Sequence, residues 1–358
     1  MNVAIVGTGL IAGYHARALK DQGSSIVTVV GSGPKKAQEF ARRWGIPRAG
    51  ADYNMALADD IDVVHICTPP ALHYQMVRAA LEAGKHVVCE KPFTFDPAES
   101  KALVELAEST NLVNAVGFNI RFHPACQQAR ELITGGDLGK VNFVHGSYLQ
   151  EFHLLPCPYG WRYDPKLSGP MRAVTEIGSH WVDIAEFFIG SEVEAVAAQF
   201  GNFNPRRWRT GDTMVAEPTE EAKELQVDSE DVAFMLIRFK DGVIGNVALS
   251  EVSHGRINYC SVEVGGDQGT LWWNSEDEHR LNIGRLGKGV CTQVNPWADA
   301  YQDTFRSMFA AIYADIAAGH PSENPKYPTF IDGHRNVAIC AAAYRSANEN
   351  SRWVEVQS

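Results

Sequence analysis

Residues 3–19 read VAIVGTGLIAGYHARAL: an apolar strand, a turn built on Gly7 and Gly9, and then a helix. No other stretch constrains the fold more, because the same succession repeats along the first 120 residues. SIVTVVG is a strand followed by the helix PKKAQEFARRWG, with proline near its start and Gly45 past its end. DVVHICTPP, HVVCEKP and LVNAVGF are further strands, separated by the helical stretches LHYQMVRAALEAGK and PAESKALVELAEST. Short apolar strands alternating with helices of about 10–15 residues mean βαβ units and a parallel sheet. The expected class is α/β, with residues 1–120 forming a Rossmann nucleotide-binding domain.

Beyond Arg121 the pattern changes. KVNFVHGSYLQEF, VEAVAAQFGNF, DVAFMLIRF, VIGNVALSEVS, NYCSVEVGG and GTLWWNS follow one another largely without helices. They predict a large, mainly antiparallel, open-faced sheet in a second α/β domain over residues 121–358. Helices are expected at about Glu176–Phe188, Tyr301–Ala318 and Gly333–Asn348, the last able to pack back on the first domain. Thr210–Asp228, polar and acidic, reads as a loop. A sheet with helices on one side leaves its other face to be covered. Self-association into a homodimer or homotetramer through that face is the expected remedy.

Composition narrows the partners. The 358 residues carry a net charge of −11, which argues against nucleic acid or an anionic membrane. No apolar run approaches the roughly 18 residues needed to span a bilayer. The chain enters its first strand with no basic, signal-like stretch, so a cytoplasmic protein is expected. Seven well-separated cysteines with no C-x-x-C pair read as free thiols in a reducing compartment.

Gly7-x-Gly9-x-x-Ala12, placed between a strand and a helix, is the fingerprint of a dinucleotide site. Gly7 permits the tight turn, and Gly9 lets a pyrophosphate approach the helix N-terminus. The second strand does not end in the acid that binds an adenosine ribose. Gly31 and Ser32 stand there, with Lys35 and Lys36 just beyond. That favours NADP over NAD; the alternative is that both lysines are solvated first-turn residues of the next helix. In GKHVVCEKPFTF, Lys91 leaves a strand at the rim where such sheets bind ligands, between Glu90 and Pro92. A stiffly held lysine there suits a proton donor or a cation that polarises a carbonyl. His15, His65, His73 and His86 read as packing or capping residues.

In AVTEIGSHWVDIAEFFIG, Trp181, Ile184, Ala185 and Phe188 form an apolar helical stripe. Glu176, His180 and Asp183 lie together on another face. A histidine beside a carboxylate holds one tautomer and serves as an acid or base near neutral pH; the alternative is an exposed polar face with ordinary charge pairs. His153, Cys157, Glu176 and His180 supply no recognisable third and fourth metal ligand, so no metal is expected. No G-x-S-x-G elbow is present.

The ordered set GTGLIA, CTPPALH, GKHVVCEKP, GFNIRFHPA and EIGSHWVD resembles the glucose–fructose oxidoreductase/inositol dehydrogenase/rhizopine-catabolism family (Gfo/Idh/MocA), and the likeness runs through nearly the whole chain. The resemblance implies NAD(P)-dependent hydride transfer at a secondary alcohol or ketone of a sugar or polyol. It implies Lys91, His180 and Glu176 as the catalytic group. Cofactor contacts would come from Gly7, Gly9, Leu10, Ile11, Ser32, Lys36, Thr68, Pro69, His73, Glu90, Lys91 and Arg162. Substrate contacts would come from Lys91, Arg121, His153, His180 and Asp183. Glu176 departs from the family's aspartate and is one methylene longer. Two other readings belong to the same fold: a non-catalytic sensor that binds NAD(P), and an enzyme acting on a non-sugar such as a dihydrodiol or a tetrapyrrole.

Overall fold

The computed structural model describes residues 1–295 and 301–357. They form two compact units, one of residues 1–122 and 301–337, the other of residues 123–295 and 338–357.

The first unit is built on six strands: β1 Asn2–Val6, β2 Ser25–Val30, β3 Arg48–Gly50, β4 Val63–Ile66, β5 His86–Cys89 and β6 Asn114–Val116. All run parallel in the order β3-β2-β1-β4-β5-β6. The short β3 is not legible in the sequence. Helices α1 Leu10–Asp21, α2 Pro34–Trp44, α3 His73–Glu82 and α4 Pro97–Glu108 connect the strands. Their ends follow capping chemistry. Asp96 accepts a hydrogen bond from the Ala98 amide ahead of Pro97 at the start of α4. Gly45 closes α2 in the left-handed conformation.

Alternation along β1 divides the core. Val3 and Ile5 belong to the cluster on one sheet face, Ala4 and Val6 to the cluster on the other. The helix Tyr301–Ala318 seals the first face with Phe305, Met308, Phe309 and Ile312, all fully buried. They recur at the spacing of one helical stripe, and each contributes about 1.5–3 kcal/mol of burial. Strand register levels one edge of the sheet: Val6 pairs with Val30 and Ile66, and Ile66 with Cys89. Gly31, Gly7, Cys67 and Glu90 therefore leave their strands along one rim, the edge at which parallel sheets bind ligands.

The second unit carries thirteen strands: β7 Val141–Leu149, β8 Cys157–Pro158, β9 Val193–Gly201, β10 Arg206–Thr210, β11 Thr213–Val215, β12 Lys223–Gln226, β13 Val232–Phe239, β14 Ile244–Ser250, β15 Tyr259–Gly266, β16 Thr270–Asn274, β17 Arg280–Arg285, β18 Gly289–Val294 and β19 Val354–Glu355. Nine make one sheet, ordered β18-β17-β16-β15-β7-β14-β13-β9-β19. Only the β7–β14 pair in it is parallel. One face buries Ala233, Met235, Ile237 and Val247. The other exposes Phe234 and Leu236 of β13, and the paired Phe143 and Ile244.

The segment read as a loop over Thr210–Asp228 is interrupted by two short strands, β11 and β12, and begins at the end of β10. β10, β11 and β12 join β8 in a four-stranded antiparallel sheet. The reading failed because these strands have little apolar alternation. They close over a small core of Cys157, Tyr163, Met214 and Val227 rather than over the main one. The hairpin β17–β18 was likewise not anticipated.

Candidate active site

At the end of β1, Gly7 has φ +118°, and a Cβ there would lie 2.4 Å from the Cys67 carbonyl oxygen. Its amide donates to the Val30 carbonyl at 2.7 Å. The protein's own backbone thus demands glycine at 7. Gly9 differs: its backbone is ordinary extended, and an added Cβ would meet nothing within 4 Å. Gly9 precedes α1, which has no side-chain cap and no acid in its first turn. Leu10 is exposed and Ile11 half-buried beside it. Open space against uncapped helix amides fits a phosphate. The glycine turn therefore fits NAD(P) on the protein's own geometry.

Gly31 follows β2 with its Cα facing Ala37 and Thr8; a Cβ would meet the Ala37 amide nitrogen at 3.0 Å. Ser32, Lys35 and Lys36 are exposed.

Further along the rim, His73 ties two loops together. Its Nε2 lies 2.9 Å from the Thr68 carbonyl, and its Nδ1 3.0 Å from the Pro92 carbonyl. The turn after β4, which holds Thr68 and Pro69, is thereby fastened to the Glu-Lys-Pro turn after β5. Burial, its largest influence, pulls His73 below its ordinary value against these contacts. Glu90 is buried. Its Oε1 lies 2.8 Å from His15 Nε2, and its Oε2 accepts from the Lys91 amide at 3.3 Å. A Cβ at Gly117 would come within 2.5 Å of Glu90 Oε1, so that glycine makes room for the carboxylate. Lys91 is half-buried, and the Lys91–Pro92 bond is cis. Arg121 pairs with Asp332 at 2.9 Å. Burial pushes the Asp332 carboxyl up, but Arg121 and the Thr329 donors outweigh it and hold it below the carboxylate range.

In the second unit, the segment expected as one helix from Glu176 opens as a π-helical turn, Val174–Gly178, and becomes α-helical only over Ser179–Ile189. Such turns are rare and recur at functional sites. His180 and Asp183 are buried, not on an exposed polar face. Trp181 anchors the helix by donating to the Ser261 carbonyl at 2.8 Å. Glu176 Oε2 accepts from Arg162 Nε at 2.8 Å. Glu176 holds the Arg162 guanidinium above its ordinary value against burial. The His180 ring lies 6.4 Å from that of Tyr148.

His153 sits among charges that the sequence reading missed. Tyr163 accepts from Arg207 at 3.1 Å and hydrogen-bonds His153 Nδ1. His153 Nε2 lies 3.7 Å from Glu251. Arg172 donates to Glu251 at 2.7 Å and to Asp231, which Arg207 also reaches at 2.7 Å. Glu230 accepts from the Val174 amide at 2.8 Å and the Arg172 amide at 3.0 Å, so it binds the backbone leading into the π-turn. Burial first, then Arg172, pushes His153 down to about 3. Burial pushes Glu230 and Glu251 up to about 7, against the donors and Arg172. Their signal in the sequence is positional: Glu230-Asp231 stands directly before the apolar β13, Glu251 directly after β14, and Arg172 alone amid apolar residues. Among the described residues, no group of three or more His, Cys, Asp or Glu is placed to hold a metal.

A glycine turn feeding an uncapped helix at the rim of a six-stranded parallel sheet defines the Rossmann class of dinucleotide-binding proteins. Comparison with known proteins gives the family. Residues 1–118 match the oxidoreductase family with an NAD-binding Rossmann fold, and residues 126–272 match the GFO/IDH/MocA C-terminal domain. Levoglucosan dehydrogenase of Pseudarthrobacter phenanthrenivorans is 31% identical over 99% of this chain and 98% of its own. The scyllo-inositol 2-dehydrogenase (NAD(+)) of Bacillus subtilis is 30% identical over 96% of this chain and 93% of its own. Among solved structures, levoglucosan dehydrogenase in complex with NADH and L-sorbose superposes with a TM-score of 0.90 at 28% identity, covering 100% of this chain and 99% of that one. The chain belongs to the GFO/IDH/MocA oxidoreductase family.

Proposed function

We propose that the protein is an NAD(P)-dependent dehydrogenase or reductase acting at a secondary alcohol or ketone of a sugar, polyol or sugar derivative. The observation that carries this reading is the level rim of the first unit, where Lys91 leaves β5 on the same edge as the open glycine turn. Full-length kinship with dehydrogenases of levoglucosan and inositol supports the substrate class. When bound, the nicotinamide cofactor supplies or accepts the hydride. The Lys91 ammonium stabilises charge developing on the substrate oxygen, and His180 takes the hydroxyl proton or returns it. Glu176 and Asp183 hold His180 and a substrate hydroxyl respectively. Arg121 and His153 border the substrate, and Arg162 acts on the cofactor side.

Gly7, Gly9, Leu10, Ile11, Thr68, Pro69, His73 and Glu90 shape the cofactor site. The lack of a carboxylate after β2, with Ser32, Lys35 and Lys36 exposed there, supports NADP over NAD. The cytoplasm is the proposed compartment; no helix among the described residues is long and apolar enough to cross a membrane. The exposed apolar face of the nine-stranded sheet supports a homodimer or homotetramer. Residues 1–120 are the proposed cofactor domain and 121–358 the substrate and assembly domain.

Titration with NADH and NADPH, followed by nicotinamide fluorescence, tests the cofactor assignment: tighter NADPH binding is expected, and equal or weaker binding removes the phosphate site. Lys91→Ala is expected to cut turnover at least about a hundredfold while cofactor binding holds, as loss of one electrostatic group at a reacting oxygen does. Undiminished turnover would sink the role of Lys91.

A further inference from the structure

His15 and His65 do more than pack. A line of hydrogen bonds crosses the interior of the first unit: Tyr313 Oη to His65 Nε2 at 3.0 Å, His65 Nδ1 to His15 Nδ1 at 2.9 Å, and His15 Nε2 to Glu90 Oε1 at 2.8 Å. Both rings are fully buried, and Phe309 packs on each, with centroids 4.8 and 4.9 Å away. Four elements supply the line: α1, β4, the end of β5, and the helix Tyr301–Ala318. Nothing in the activity proposed above uses it.

Chemistry permits one direction for neutral rings. A carboxylate can only accept, so His15 Nε2 carries hydrogen. His15 Nδ1 then accepts, and His65 Nδ1 must donate to it. That leaves His65 Nε2 to accept from the Tyr313 hydroxyl. The reverse arrangement would set a bare His15 lone pair against the Glu90 carboxylate at 2.8 Å. Two neighbours agree. Burial, the largest influence, pulls His65 well below its ordinary value, so its ring is neutral. Burial, and then Glu90 and Cys89, keep Cys67 a thiol, and its Sγ lies 3.4 Å from His15 Nδ1, placed to donate there as well. The charged and titratable groups around the line are Asp62 toward Tyr313, Cys67 and Cys89 in the strands, His73 near Glu90, and Lys91 itself.

We infer that Tyr313, His65 and His15 form a one-way donor chain that fixes the Glu90 carboxylate, which in turn receives the Lys91 amide, making His15, His65 and Tyr313 positioning residues for Lys91. Each donor in turn points toward Glu90, whose carboxylate sets both tautomers; the Tyr313 hydroxyl is the last donor, so removing it loosens the line without reversing it. The inference deepens the role given to Lys91 above and rests on that reading for its functional weight.

The test uses the full-length protein and needs no turnover. Nitrogen-15 spectra of labelled histidines should show His15 as the Nε2–H tautomer and His65 as the Nδ1–H tautomer. Tyr313→Phe, which deletes one oxygen, should leave both tautomers unchanged and shift the His65 Nε2 signal. In protein with carbon-13 dimethylated lysines, the Lys91 signal, assigned by its loss in Lys91→Arg, should shift in both Tyr313→Phe and Glu90→Gln. The opposite tautomers, or a charged His15, would overturn the chain. Expected tautomers with an unmoved Lys91 signal would overturn the positioning role. Full turnover by Lys91→Ala would refute the function of Lys91 and leave both spectral results standing, so the two failures are distinct.

Discussion

Two glycines two residues apart give the sharpest mutational contrast in this protein. Gly7→Ala places a Cβ 2.4 Å from a backbone carbonyl in a residue at φ +118°. The left-handed strain costs about 1–2 kcal/mol, and the displaced backbone about 1–3 more. A total near 3 kcal/mol lowers the melting temperature of a unit this size by about 6–12 °C. Gly9→Ala meets no atom within 4 Å and sits at φ −79°, which alanine adopts freely. Its fold should keep its stability, or gain about 0.4–1 kcal/mol from a stiffer unfolded chain. The added methyl fills the space against the first turn of α1, where the cofactor phosphate belongs. Misfit of one methyl costs about 1–3 kcal/mol, a loss of roughly 10–200-fold in affinity. Thermal unfolding of both ligand-free variants, with nicotinamide fluorescence titrations, reads the two effects separately. Wild-type cofactor affinity in a stable Gly9→Ala would refute the reasoning, as would an unaltered melting temperature in Gly7→Ala.

Three further outcomes follow from the second unit. Arg172→Met leaves Asp231 and Glu251 buried without their shared cation, and should cost about 3–5 kcal/mol in denaturant unfolding. Glu230 and Glu251 are raised from an ordinary 4.5 to about 7, so their contribution is complete below about 4.5 and lost as pH rises through 7. His153, depressed from 6.5 to about 3, works oppositely: its contribution is complete above 6.5 and lost as pH falls toward 3. His123, lowered by burial to about 4, acts with His153, so the carboxyls are read by difference: as pH rises from 5 to 7, Glu251→Gln should lose less stability than the parent, by up to about 1.4 kcal/mol per pH unit in unfolding midpoints. If the proposed homodimer or homotetramer forms through the open sheet face, paired changes Phe234→Glu and Leu236→Lys there should lower the mass in sedimentation velocity to that of a monomer; an oligomer of unchanged mass would remove that face as the interface.

The first unit was legible because each of its signals is local. Period-two alternation in β1, proline and Gly45 around α2, and the glycine turn all act within a few residues. The helix Tyr301–Ala318 was expected in the second domain, whereas its apolar stripe belongs to the core of the first unit. The segments misread were those where local pattern and final packing part company. β10 to β12 are polar strands over a minor core, and the π-turn at Glu176 depends on Glu230, 54 positions away, binding its approach through the Val174 amide. The same distance problem hid the charges around Arg172 and the chain from Tyr313 to Glu90. Each member looks like an ordinary buried or capping residue until the fold sets 248 positions of separation, between His65 and Tyr313, at 3.0 Å.

The central claim is that this oxidoreductase acts on the hydroxyl of a sugar or polyol. It is tested most directly by mixing the protein with NAD(P)+ and a panel of levoglucosan, inositols and aldoses, and following absorbance of the reduced nicotinamide. The account predicts cofactor reduction with at least one member of the panel, lost in Lys91→Ala and in His180→Ala. Tight cofactor binding with no reduction by any sugar or polyol would contradict it and favour a sensor or a non-sugar substrate.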